Sequence, residues 1–238
     1  MRHNSYLITH ISCFFFFFLQ ACGSSDAALE RGRILMKEGK FRDALTNLNQ
    51  AVESDPQNAE AFNARGVVHF ELKEFDNALL DYEQAIKINS EMYQPFYNRA
   101  LLKTAQNDSP AALKDYAEAL RRDSKNTEIM VNRGQLLAAT GQNEAALSDF
   151  EQAVLLNPKN ALAWYNRGNI LFQQQQFEKA VESFQKAVAQ DAKFGKAYNA
   201  LGIAQLTQQK QDLGCLNLKQ ADKLGYADAK VALEQYCK

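Results

Sequence analysis

Between residues 25 and 228, small and large apolar side chains return every 34 positions, in the registers 25-58, 59-92, 93-126, 127-160, 161-194 and 195-228, without insertion. Within each interval, positions four, eight and eleven share one helical face, and positions twenty, twenty-four and twenty-seven share another. Each interval therefore predicts two amphipathic helices. Turn signals separate them, as at Glu38-Gly39-Lys40 and Thr140-Gly141-Gln142, and Pro56 and Pro158 mark the ends of second helices. Residues 229-238 are expected to form one more helix, covering the last apolar face.

The size of the side chain at each slot is as regular as its polarity. Position eight holds Gly32, Gly66, Ala100, Gly134, Gly168 and Gly202; position twenty holds Ala44, Ala78, Ala112, Ala146, Ala180 and Gly214. Position twenty-seven holds Ala51, Ala85, Ala119, Ala153, Ala187 and Ala221. Helices that cross at close range need small residues at the crossing and bulk beside it. The bulk stands at position four (Phe62, Phe96, Met130, Trp164, Tyr198) and position twenty-four (Leu48, Tyr82, Tyr116, Phe150, Phe184, Leu218).

This period and this W-G-Y-A-F-A-P pattern resemble the tetratricopeptide family, most closely in Ala161-Leu-Ala-Trp-Tyr-Asn-Arg-Gly-Asn169. The resemblance implies an all-α solenoid of six helical hairpins (TPR units) in a right-handed superhelix with a C-terminal capping helix. Repeat three departs from it with Ala100, with Asn107 in place of Gly and with Ser109-Pro110, so its turn is expected to differ locally. The last unit, around Lys219-Gln-Ala-Asp-Lys-Leu-Gly225, resembles the Sel1 variant of these hairpins.

In the family the first helices line a concave face. On that alignment Asn98, Asn132 and Asn166 occupy position six of consecutive repeats, and Asn63, Tyr97, Gln135, Tyr165, Asn169 and Asn199 extend the lining. An amide both donates and accepts, so such a row can hold the backbone of an extended peptide whatever its side chains. It can equally bridge neighbouring helices. Position five offers none of the lysines with which family members clamp a terminal carboxylate, which disfavours chaperone-tail binding. Arg31, Arg65, Arg99, Arg133 and Arg167 stand at position seven, with Asp81, Asp115 and Asp149 at position twenty-three. Pairing each acid with the arginine of the following unit (Asp81-Arg99, Asp115-Arg133, Asp149-Arg167) is the preferred reading; pairing within the unit is the alternative.

Ahead of the repeats, Arg2 and an apolar stretch from Tyr6 through the Phe14–Phe18 run read as an export segment over residues 1-21. It ends in Leu19-Gln20-Ala21-Cys22, which resembles the lipobox of bacterial lipoproteins and implies acylation of Cys22. Residues 22-24 would then form a tether of about 10 Å to the first helix. Gly23 rather than Asp after the cysteine points outward, to the outer membrane of a bacterial cell envelope. With Cys13 in the export segment and Cys22 acylated, Cys215 and Cys237 remain as an even pair. In an oxidising compartment they suggest a disulfide; two small buried thiols are the alternative.

Composition removes several chemistries. A formal net charge of -1 does not suit a nucleic-acid surface. Of three histidines, two lie in the export segment, leaving His69 at a core-facing position and no basis for a multi-histidine metal centre. Glycines stand singly inside helices rather than in a phosphate loop, and acidic residues are scattered. The expectation is a non-enzymatic adaptor without cofactor or metal, anchored to a membrane and holding protein partners in assembly of an envelope complex. The alternative is a subunit that captures peptide or polymer for an enzyme or transporter.

Overall fold

Each stretch that carries the helical period from residue 25 onward is a helix in the computed structural model, which describes residues 25–237. The expected export segment, Cys22 and the tether at 22-24 lie outside the described residues. The helices are α1 (25–37), α2 (Phe41–Ser54), α3 (Ala59–Glu71), α4 (Phe75–Ile88), α5 (Gln94–Ala105), α6 (Ser109–Arg122), α7 (Thr127–Ala139), α8 (Asn143–Leu156), α9 (Ala161–Gln173), α10 (Phe177–Gln190), α11 (Gly195–Thr207), α12 (Gln211–Lys223) and α13 (Ala227–Tyr236). No strand accompanies them among the described residues. The odd-numbered helices up to α11 open the hairpins and the even-numbered helices close them.

The backbone forms two compact units, one ending at Arg122 and the other beginning at Asp123. In the first, α3 packs on α4 and α5 on α6; in the second, α7 pairs with α8, α9 with α10, and α11 with α12. Contacts between helices two apart in sequence run from opening helix to opening helix: α3 with α5 in the first unit, and α7 with α9, α9 with α11 and α11 with α13 in the second. The row of opening helices is therefore the side on which successive hairpins approach each other. Helix α13 also packs on α12 and closes the second unit.

Close approach within a hairpin follows from position eight. A methyl group built on Gly66 would come within 2.6 Å of the Tyr82 ring, on Gly134 within 2.7 Å of Phe150, and on Gly168 within 2.5 Å of Phe184. These position-twenty-four side chains are almost wholly buried, as are the alanines at positions twenty and twenty-seven. Repeat three solves the same problem with Ala100 against Tyr116, both buried. At the last hairpin two backbones meet, since methyls on Gly202 and Gly214 would each lie 2.9 Å from the other's carbonyl oxygen.

Every hairpin turn places one residue in the left-handed region, always at position fifteen: Gly39, Lys73, Asn107, Gly141, Gln175 and Gln209. That conformation lets the next amide reach back five residues and close an exposed helix carbonyl. The turn expected to be unusual in repeat three is the same as the others. Asn107 has φ 62°, and Asp108 N–H donates to the Lys103 carbonyl at 2.9 Å as Gln142 N–H does to Leu137 at 2.8 Å. Asparagine adopts this region readily because its short polar side chain bonds locally. The link to α13 is a three-residue turn like those within hairpins, residues 224–226 with Gly225 at φ 80°, and is shorter than the connections between earlier hairpins. For that reason α13 opens two residues before the expected boundary at 229.

Candidate protein-binding face

Three of the opening helices are fixed at their starts by asparagines. The Asn58, Asn126 and Asn160 side chains accept from the backbone N–H groups of Ala61, Ile129 and Ala163, capping α3, α7 and α9. Helix α5 has no such cap and places Pro95 in its first turn instead.

Charge pairing then locks each hairpin. Arg65 holds Asp81 through two bonds of 2.7 and 2.8 Å, Arg99 holds Asp115 at the same distances, and Arg133 holds Asp149 at 2.6 and 2.7 Å. The pairing is within each repeat, which corrects the between-repeat scheme preferred from sequence. The cause is the glycine contact: position eight lies against position twenty-four, so position seven must lie beside position twenty-three. A remaining arginine nitrogen reaches position twenty-five of the preceding repeat, at Asn49 (3.1 Å), Glu83 (3.9 Å) or Glu151 (3.3 Å). The arginine row therefore joins neighbouring hairpins as well, through acceptors at position twenty-five that sequence reading missed. In the fifth repeat Ser183 replaces the acid, and Arg167 donates to its hydroxyl at 2.6 Å.

His69 sits in the same layer. Its Nδ1 is 2.6 Å from Glu74 and its Nε2 3.8 Å from Asp81, with 12% of the side chain exposed. Lys103, at the equivalent position of the next repeat, pairs with Asp115 at 2.9 Å. Beside these charges, burial first and then the Asp81 carboxylate push the Tyr82 hydroxyl above its ordinary pKa of 10.0. Among the described residues no cluster of three His, Cys, Asp or Glu side chains converges as a metal site would require.

The amide set divides between the units. In the first, Asn98 Nδ2 donates to Asn63 Oδ1 at 2.9 Å, bridging α5 and α3, and the Tyr97 ring packs on Tyr116. In the second, Asn132 and Asn169 are half-buried on α7 and α9, and Gln135 is exposed. Asn166 Nδ2 and Asn199 Oδ1 are buried and have no hydrogen-bond partner. The bridge fails at Asn166 because position five of the preceding repeat is Val131, which offers no side-chain acceptor. Tyr165 does not belong to the open lining: it is 8% exposed and packs on Phe184 and Phe194, because position five turns inward between neighbouring hairpins, as Leu29 and Val131 also do. Asn199 borders a cavity of about 340 Å³ with Ile203, Val231 and Tyr236.

At the far end of the second unit, Cys215 on α12 and Cys237 after α13 are joined by a disulfide, with their Cα atoms 5.7 Å apart. Gln211 Nε2 also donates to the Tyr236 carbonyl.

A family model described as tetratricopeptide repeat matches residues 29–92, 97–154 and 131–193. The chain belongs to the tetratricopeptide repeat family. No curated protein matches it. Among solved structures it is similar to pilF of Pseudomonas aeruginosa, with 18% identity over 90% of this chain and 99% of that one and a TM-score of 0.79. It is also similar to YrrB, described as a TPR protein with an unusual peptide-binding site, with 20% identity over 79% of this chain and 97% of that one and a TM-score of 0.67. A third similar structure is PilW, described as a widely conserved type IV pilus biogenesis factor, at 18% identity, covering 82% and 91% of the two chains, with a TM-score of 0.71. At these identities the likeness is one of fold.

Proposed function

We propose that this tetratricopeptide protein is a lipid-anchored, non-enzymatic adaptor that holds a protein partner during assembly of a bacterial envelope complex. The observation that carries the binding role is the row of amides on the opening helices, where Asn166 keeps a buried donor and Asn199 a buried acceptor without partners. A buried polar atom left unpaired costs about 1–3 kcal/mol, so rotation of these amides toward a docked peptide backbone would relieve that cost. Tetratricopeptide proteins mediate protein–protein interaction, and similarity to a structure described as a type IV pilus biogenesis factor favours a partner in the envelope. The lipobox-like Leu19-Gln20-Ala21-Cys22 supports anchoring, with several acyl chains on one cysteine making attachment durable. The Cys215–Cys237 bond supports an oxidising location.

The test is co-isolation of crosslinked partners from envelope membranes by the native chain and by Asn166→Ala/Asn199→Ala. Loss of the stoichiometric partner in the variant, with its melting temperature retained, is expected; unchanged partners would remove the amide row from the proposal. Anchoring is tested separately: Cys22→Ser should move the chain from the membrane to the soluble fraction and end incorporation of labelled fatty acid.

A further inference from the structure

We propose that the cleft between α8, α9 and α10 is a receptor for an arginine side chain of a protein partner. The third repeat of this chain shows the receptor occupied. There the position-four ring of Phe96 is covered by Arg122, whose Cζ lies 3.8 Å from the ring centre. Arg122 Nε donates to the Ser90 carbonyl and Nη1 donates to Glu118 at 2.6 Å, leaving the side chain 6% exposed. A second guanidinium, that of Arg99, stands 5.8 Å from the same ring.

The fifth repeat repeats this arrangement with the plug missing. Arg167 keeps the 5.8 Å distance to the Trp164 ring. The position of Arg122 is taken by Gln190, which is exposed to solvent. The space beside the indole remains an open cleft of about 420 Å³, lined by Trp164, Leu155, Pro158, Arg167, Glu151 and Glu182 among others. Pro158 corresponds to Ser90 and Trp164 to Phe96, whereas Lys186 stands at the position of Glu118, so the ring and the carbonyl are present again and the carboxylates of the cleft come from Glu151 and Glu182 instead.

The chemistry of the cleft favours a guanidinium. Indole attracts a cation more strongly than the phenyl ring it replaces. Two carboxylates border the cleft against one internal cation, and that cation is committed: Arg167 donates to Ser183 at 2.6 Å and to Glu151 at 3.3 Å. Among the described residues Glu182 makes no ion pair, and it is exposed. The Pro158 carbonyl accepts the indole N–H at 2.9 Å, and a carbonyl oxygen can accept a second donor. A planar guanidinium can stack on the ring and donate sideways to carbonyl and carboxylate, as Arg122 does; a compact ammonium cannot do both. Leu155, 71% exposed, would cover the methylene stem. This receptor is built from α9 together with the closing helices α8 and α10 and does not depend on the amide row.

Trp164 is the only tryptophan of the chain, so its emission reports the site directly. The full chain is titrated with Nα-acetyl-arginine methylamide, and with the citrulline and lysine counterparts. The arginine probe is expected to give a saturable change with Kd on the order of 1 mM, and the citrulline probe binding at least about tenfold weaker. Glu182→Gln should weaken the arginine probe, and Gln190→Arg, with its circular dichroism unchanged, should abolish the titration while shifting the resting emission. Equal response to arginine and citrulline would overturn the proposal, as would an unaltered titration in Gln190→Arg. A lysine probe that binds as well as the arginine probe would overturn the assignment to a guanidinium.

Discussion

A missing methyl group sets the spacing inside each hairpin. Gly168→Ala drives a Cβ to 2.5 Å from the Phe184 ring and should destabilise by about 2 kcal/mol, the usual cost of overpacking, measured as a shift in denaturant midpoint. Its size is limited by the ring's ability to shift, since repeat three buries Ala100 and Tyr116 at the same two positions. Gly214→Ala meets a backbone carbonyl as well and should cost more. At the turns the order reverses. Lys73, Gln175 and Gln209 hold left-handed backbone that Gly39 and Gly141 adopt without strain, so Gln175→Gly should stabilise by about 0.5–1 kcal/mol. Tyr82 gives a pH dependence. Its neutral form is favoured in the folded state, so its contribution is complete below the unfolded value of 10.0 and is lost as pH rises above that. Denaturant midpoints followed from about pH 9 to about 11 should fall more steeply for the native chain than for Tyr82→Phe.

At the scale of elements, the arginine–aspartate pairs bind opening to closing helix, and Arg65, Arg99 and Arg167 also join the second, third and fifth hairpins to the hairpin before through position twenty-five. Asp115→Asn leaves Arg99 and Lys103 without their shared acid and should cost about 3 kcal/mol, whereas Arg133→Met with Asp149→Leu, which removes both members of a pair, should be close to neutral. A thermal melt of both variants distinguishes these outcomes. The helices themselves were legible from the 34-residue period, because small and bulky slots alternate with helical spacing in every interval. The partner of each arginine was not, although the decisive fact was present: glycine at eight beneath an aromatic at twenty-four puts seven beside twenty-three. The third-repeat turn was misread because absence of glycine was taken to mean a different backbone, when asparagine supports the same one. The asparagine caps and the inward turn of Tyr165 depend on the packing angle of neighbouring hairpins, which periodicity does not encode.

For the whole molecule, stability in a repeat protein is a sum of hairpins and their neighbour contacts, so damage at one end stays local. Reducing Cys215–Cys237 should release α13 and raise amide exchange in α12 and α13, with α1 to α8 unchanged. The central claim is that the row of opening helices, not the closing helices, receives the principal partner. A photo-crosslinking residue placed at Gln135, exposed on α7, and in a second variant at Leu80, 64% exposed on α4, tests this directly. Crosslinking of the envelope partner from position 135 and not from position 80 is the predicted result; capture from 80 with none from 135 would contradict the account.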